Sequence, residues 1–176
     1  FIHKNNIVLK ELKPENILIN KKNKVKIVSF DVFKSDSTEL TSLNDINIEY
    51  LSPEMIVNLR NNTDYSITSQ DNIWLLGILL YELYHGYTPF VNNVDLDNSI
   101  DNIENDILSN IVNFKYNFKE NTPVKFRSLL EKIFLPSKER ASLMKILSST
   151  WIEDKEKEVV SRKRKEIDKL ISNHDE

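Results

Sequence analysis

The sequence predicts a mainly α, α+β domain in which a few short strands at the start lead into a helical bundle. Three observations point there. Short β-branched runs at Asn6 to Leu9, Ile17 to Asn20 and Val25 to Phe30 read as strands, with Lys21 to Lys24 turning between the second and third. Beyond Ser52 the apolar residues change from alternation to helical spacing. No segment repeats, so the layout is one domain and not an array.

Helix signals follow in order. Ser52-Pro53-Glu54 combines a capping hydroxyl, a proline for the first helical position and an acid in the first turn, which starts a helix over Glu54 to Leu59. Ser69 is the expected cap of a longer helix, Gln70 to His85, ended by Gly86. That helix is apolar on nearly every face and so belongs at the centre. Further helices are expected at Asp106 to Asn113, Val124 to Phe134, Leu143 to Ser149 and Ile152 to Ile171. Val32 to Ile48 is polar and aperiodic, a surface loop long enough to be functional.

Composition narrows the function classes. With 176 residues, 40% hydrophobic and 29% charged, the chain has material for one soluble globular core. A net charge of -3 supplies no global positive field for nucleic acid or an anionic membrane. The absence of cysteine excludes disulfides, thiolate zinc sites and cysteine nucleophiles, and fits an intracellular setting, cytoplasm or nucleus. His3, His85 and His174 are scattered and form no zinc constellation. The longest apolar run, Ile73 to Tyr81, is too short for a bilayer core of about 30 Å. Opening on Phe1 without a signal-peptide pattern, the sequence reads as a fragment or a chain cut at its start. Only Gly77 and Gly86 are glycines, while Asn, Lys and Ile abound as in an AT-rich genome, so Asn92 to Asn105 reads as loop.

Leu9-Lys10-Glu11-Leu12-Lys13-Pro14-Glu15-Asn16-Ile17-Leu18 resembles the catalytic loop of protein kinases, H-R-D-L-K-P-E-N followed by a strand. Ile27-Val28-Ser29-Phe30-Asp31 falls at that family's D-F-G element, and Tyr50-Leu51-Ser52-Pro53-Glu54 at its A-P-E. Asn72-Ile73-Trp74-Leu75-Leu76-Gly77-Ile78 resembles D-V-W-S-L-G-V of the large central helix, and Arg140 and Trp151-Ile152 fall where the last helices carry an arginine and a tryptophan. These blocks keep the family's order over Phe1 to Ile152. The segment Tyr50 to Ile56 and the terminal Trp-Ile look most like Aurora-type serine/threonine kinases. The resemblance implies a kinase carboxy-terminal lobe at residues 1–152, with the amino-terminal lobe and its glycine-rich phosphate loop absent from this chain, and a charged helical tail at 153–176.

Phosphoryl transfer rests on positioning and charge neutralisation. The resemblance implies catalytic positions at Glu11 (the base), Lys13 (on the γ-phosphate) and Asn16 (second metal ligand). It implies nucleotide contacts from Lys13, Asn16, Leu18 beneath the adenine and Ser29, and metal ligation by Asn16 and Asp31. Glu11 keeps the carboxylate of the family's aspartate one methylene further out, where a misplacement of about 1 Å costs on the order of 100-fold. Ser29 replaces the metal-chelating aspartate with a neutral hydroxyl, although Mg²⁺ wants hard anionic oxygen. Asp31 offers a carboxylate in the place of a glycine. Lys10 replaces an arginine and loses its bidentate fork, while Leu9 replaces a histidine and still fills the hydrophobic column under the metal-binding element. Phe30 matches a packing residue.

In the loop before Pro53, Ile46-Asn47 replace the family's Gly-Thr and remove a hydroxyl, and Thr41 and Ser42 lie near its usual phosphosite. Asn72 replaces the aspartate that holds the catalytic loop, its amide oxygen accepting more weakly than a carboxylate. Glu54 and Arg140 retain a buried ion pair, and Trp74 and Gly77 retain packing.

Changed chemistry beside retained fold positions implies a pseudokinase that acts by binding a protein partner. Two alternatives stand beside it: an active Ser/Thr kinase using ATP and Mg²⁺ on a protein substrate, with its amino-terminal lobe outside this chain, and a truncated relic that needs no cofactor and has no function. The oligomeric state is left open. A lone lobe is expected to expose apolar residues such as Leu18. In the tail, Val160, Ile167, Leu170 and Ile171 share one helical stripe that can dock on the lobe or on a partner helix. Ser161 to Lys165 resembles a nuclear import patch set on a solvated charged helix.

Overall fold

Four strands form near the start: β1 (Ile7–Leu9), β2 (Ile17–Ile19), β3 (Val25–Ile27) and β4 (Val32–Lys34). They come from a computed structural model that describes residues 2–5, 7–28, 32–34, 39–40, 47–91 and 99–172, with side chains up to 165 except in 32–34 and 39–40. β2 and β3 make the expected hairpin, Ile17 opposite Ile27 and Ile19 opposite Val25. Its turn is built by asparagine: Asn20 Oδ1 accepts the N–H groups of Lys22 and Lys24, each at 2.9 Å. Asn23 sits at φ 56°, a left-handed conformation that asparagine tolerates.

β1 pairs antiparallel with β4, Leu9 opposite Val32, and β5 (Glu39–Leu40) pairs with β6 (Tyr65–Ser66). Both β4 and β5 lie inside Val32 to Ile48, which the sequence analysis reads as irregular loop. That reading is corrected here. Strands of two or three residues leave no alternation to detect, and their partners are distant in sequence.

Helix α1 (Pro53–Arg60) begins as expected, with Ser52 Oγ accepting the Met55 N–H at 3.3 Å. Helix α2 (Ser69–His85) is capped one residue earlier than expected, by Thr68 and not Ser69. Asp71 reaches back to accept the Thr68 N–H and hydroxyl, each at 2.8 Å, because Thr-x-x-Asp is a capping-box pattern. At the other end Gly86, φ 84°, is the left-handed cap. α3 (Ile100–Val112) begins six residues before the expected Asp106, within the stretch read as codon-bias loop. Ile103, Ile107 and Ile111 continue one apolar stripe through the polar residues and pack on the core, and that stripe, not the asparagines, sets the helix.

α4 (Val124–Glu131) stops short of the expected Phe134, its last turn tightening as Ile133 N–H bonds Leu130 O at 2.9 Å. α5 (Leu143–Leu147) is followed by α6 (Thr150–Ser172), which runs unbroken across residue 152. No helix among the described residues is long and apolar enough to cross a membrane.

α2 is the centre of the bundle. It buries Ile73, Trp74, Leu75, Ile78, Leu79 and Tyr81. The Trp74 ring stacks on Phe90 at 5.4 Å and meets Phe134 edge-on at 5.2 Å. Gly77 allows this closeness: a Cβ there would stand 2.5 Å from Ile133 Cγ2. Over the indole also lies Arg140, its guanidinium carbon 4.9 Å from the ring centroid. Arg140 Nη2 pairs with Glu54 Oε2 at 3.0 Å, Nη1 donates to Gln70 O at 2.8 Å, and Nε donates to Leu135 O at 3.1 Å. Glu54 Oε1 also accepts the Ser137 N–H at 2.6 Å. One buried cation thus joins α1, α2 and the segment after α4, and removing one member of such a pair costs about 3–5 kcal/mol.

His85, at the end of α2, is 4% exposed, and neither of its ring nitrogens has a hydrogen-bond partner. Its ring lies 4.2 Å from Tyr81 and 5.1 Å from Tyr84. Burial first, then the Lys119 and Arg127 cations, hold its pKa below the ordinary imidazole value. The unfolded chain therefore takes up a proton that the folded chain resists, and stability falls as pH drops below about 6.5. In urea titrations between about pH 7.5 and pH 5.5, the wild-type midpoint is expected to fall more than that of His85→Leu; equal falls would contradict the assignment.

Candidate functional site

The loop from Lys10 to Asn16 is shaped by its own sequence. Lys13 is extended (φ -128°, ψ 159°), as a residue before proline must be, and Pro14 opens a single tight turn, Pro14–Asn16. Asn16 N–H bonds Lys13 O at 3.0 Å, and Asn16 O accepts the Val28 N–H at 2.7 Å, tying the turn to the strand hairpin. Leu12 is buried, while Glu11, Lys13 and Asn16 remain partly open to solvent.

Two sequence-predicted site residues meet directly. Lys13 Nζ lies 2.9 Å from Glu11 Oε2, with side-chain exposures of 31% and 21%. The hydrogen-bonded Glu11 carboxylate raises the Lys13 pKa against the opposing effect of burial. The longer glutamate therefore still delivers a carboxylate beside the loop lysine. Leu18 projects from β2 and is 55% exposed, as a lone lobe implies, with Ile19 at 67% and Val25 at 63%. Ser29, Phe30, Asp31, Thr41, Ser42 and Ile46 lie outside the described residues. Asn47, in the position of the lost hydroxyl, accepts the Glu49 N–H at 3.2 Å and so caps the turn Ile48–Tyr50.

Asn72 holds this loop from behind in a way that a carboxylate could not. Its Oδ1 accepts the Leu9 N–H at 2.9 Å, and its Nδ2 donates to Leu9 O at 2.8 Å. Both ends of one peptide residue are satisfied by one buried amide. The expectation of a weaker acceptor is thereby incomplete, because the substitution also adds a donor. Beside it, Asp71 is 1% exposed and accepts from Ser52 Oγ at 2.6 Å and from Tyr65 Oη at 2.9 Å, in addition to Thr68. This carboxylate joins the starts of α1 and α2 to β6. Burial first, then the Asp71 charge, push the Tyr65 pKa far up, so the phenol stays a donor.

Sequence reasoning missed a second group of residues at the front of the loop. Tyr50 donates to Glu82 Oε2 at 2.9 Å, and Thr88 donates to Glu49 Oε2 at 2.5 Å. Burial raises the Glu82 pKa, and the nearby charges of Glu15 and Glu49 raise it further. The three glutamates come from the catalytic-loop turn, the turn before α1 and the body of α2. Their separation in sequence hides the cluster, and only the Pro-Glu-Asn turn carried a local signal. Behind the loop opens a cleft of about 420 Å³, whose lining includes Ile2, Leu9, Leu12, Ile27 and Leu76.

A loop carrying a carboxylate, a lysine and an asparagine, clasped to a central helix, is the arrangement of the kinase-type lobe that the sequence resembles. The chain belongs to the protein kinase family, whose protein kinase domain matches residues 1–152. It is 31% identical to MAP kinase-interacting serine/threonine-protein kinase 1 of Xenopus laevis over 87% of this chain and 42% of that protein. It is 30% identical to an Aurora kinase of Candida glabrata over 86% of this chain and 39% of that protein. To the serine/threonine-protein kinase SCH9 of Saccharomyces cerevisiae it is 35% identical over 51% of this chain and 10% of that protein. The chain thus spans less than half the length of these relatives, and its identity to the Aurora kinase is no higher than to the first.

Replacing Asn72 tests the clasp. Asn72→Ala strands a buried N–H and a buried C=O, and is expected to lower stability by about 2–4 kcal/mol. Asn72→Asp, which restores the family's residue, is expected to fall between the two because it can accept but not donate. The Leu9 amide should exchange hydrogen faster in Asn72→Ala, which no longer accepts it, than in Asn72→Asp, which still does; unchanged exchange in Asn72→Ala would contradict the clasp.

Proposed function

We propose that this chain is the lobe of a pseudokinase, a serine/threonine-kinase-type lobe that binds a protein without transferring phosphate. The observation that carries this reading is Ser29 in the position of the metal-chelating aspartate. Mg²⁺ requires several hard oxygens, preferably anionic. Asn16 brings a neutral amide and Ser29 a neutral hydroxyl, while the Glu11 carboxylate is already paired with Lys13. Asp31 adds a carboxylate two residues past the aspartate's place, where a glycine's backbone freedom has been given up. This donor set does not fit a magnesium nucleotide.

Binding of a protein is supported by two surfaces flanking the loop. The β2–β3 hairpin exposes Ile19, Val25 and Ile27 on one face and Leu18 on the other, apolar surface that calls for cover. Burial first, and after it the neighbouring Glu15 and Glu49 charges, raise the Glu82 pKa against the lowering effect of the Tyr50 hydrogen bond, and three glutamates brought together in this way suit a cationic side chain of a partner. The reading includes an intracellular setting, cytoplasm or nucleus, supported by the lack of cysteine.

A second reading is an active, ATP-dependent Ser/Thr kinase formed by a longer protein of which this lobe is part. It is favoured by one contact, the Glu11 carboxylate held 2.9 Å from Lys13. Thermal unfolding of the full-length product with ATP, with and without Mg²⁺, separates the two. A ligand at about 100 times its dissociation constant stabilises by about 2.7 kcal/mol, or about 5–10 °C for a domain of this size. The pseudokinase reading expects no Mg²⁺-dependent rise, and a rise of that order would favour the active kinase.

A further inference from the structure

Helix α6 starts against the lobe and then leaves it. The Trp151 ring lies 5.0 Å from Phe126, and Asp154 pairs with Lys125 at 2.5 Å. From Lys155 through Lys165 every side chain is exposed. Val159 and Val160 are 50% and 60% exposed. A helical segment of that length standing alone in water is marginal, so its surface calls for a partner.

Charge along this segment is divided. Residues 153–158 hold four acids and two lysines, whereas Arg162, Lys163, Arg164 and Lys165 are four cations in a row. At about 100° per residue, Glu153, Glu156, Val160, Lys163 and Arg164 fall within an arc of about 100° on one side. That face reads acid, acid, valine, base, base, with Val160 four residues from Glu156 and four from Arg164. Among the described residues, none of Glu153, Glu156, Arg162, Lys163, Arg164 and Lys165 makes an ion pair.

We propose that α6 is a self-association helix, on which a second copy of this chain lies antiparallel about a two-fold axis near Val160. Such an axis sets Glu156 opposite Arg164 of the other copy, and by symmetry does so twice. The acidic half of each helix then faces the basic half of its partner, with the valines at the crossing. Parallel pairing would set like charge on like. A partner protein of a single charge sign would satisfy only one half of the face.

Sedimentation of the full 176-residue chain tests this. A dimer is expected at about 0.05 M salt, with its dissociation constant rising at least about tenfold by about 0.5 M as the charges are screened. A dimer that tightens with salt, or a monomer at low salt, would overturn the proposal. Two charge inversions give an independent check: R162E/K163E/R164E/K165E gives the helix a strongly acidic net charge, and E153K/E156K/E158K gives it a strongly basic one. Because these residues are exposed and lie outside the core, both variants should still unfold cooperatively. Each alone is expected to be monomeric, and their equimolar mixture to form a one-to-one dimer. Persistence of either variant as a homodimer would place the association elsewhere, and failure of the mixture to associate would remove the charge pairing on which the proposal stands.

Discussion

One side-chain amide connects the core of this lobe to its loop. Asn72 belongs to α2, the helix around which the bundle packs, and its two hydrogen bonds reach the N–H and C=O of Leu9 immediately before the loop. Because α2 is fixed by the stacked Trp74 and Phe90 rings, the loop inherits the rigidity of the core. Asp71, the neighbouring residue, extends the same logic to Ser52, Tyr65 and Thr68. Two successive buried polar residues near the start of a mostly apolar helix therefore position both the loop and the start of α1. A buried polar group is costly unless satisfied, and here each satisfied group fixes the place of another segment.

The lobe separates what holds it together from what would do chemistry. Glu54 and Arg140 still bridge distant segments through a cation that is also stacked on Trp74. Asn47 has lost the hydroxyl of the family's threonine, yet its amide caps the turn that leads to α1. Asn72, also a replacement, clasps the backbone N–H and C=O of Leu9. In the proposed reading the positions that would meet a metal nucleotide differ: Ser29 brings no charge, and Glu11 and Lys13 hold one another.

Much of the architecture was legible in the sequence where its cause is local. The Ser52 cap, the Pro53 start, the Gly86 stop and the apolar run of α2 each act within a few residues, and each stands where its signal lay. Signals that compete locally were misread. Thr68 and Ser69 are both capping residues, and only the reach of Asp71 decides between them. The asparagine-rich stretch before Asp106 masked an isoleucine stripe that begins α3 earlier. Non-local partners were invisible: β4 and β5 are strands because β1 and β6 lie beside them. The site divides the same way, since the loop residues follow from one continuous motif whereas the glutamates around Tyr50 are brought together by three separate elements.

The central claim, that phosphoryl transfer has been lost from a lobe whose fold is intact, is tested most directly by phosphate incorporation. Purified full-length protein is incubated with Mg²⁺ and labelled ATP over a peptide library, alongside Lys13→Ala. The account expects incorporation at background for both proteins. Incorporation by the wild type that Lys13→Ala abolishes would contradict it.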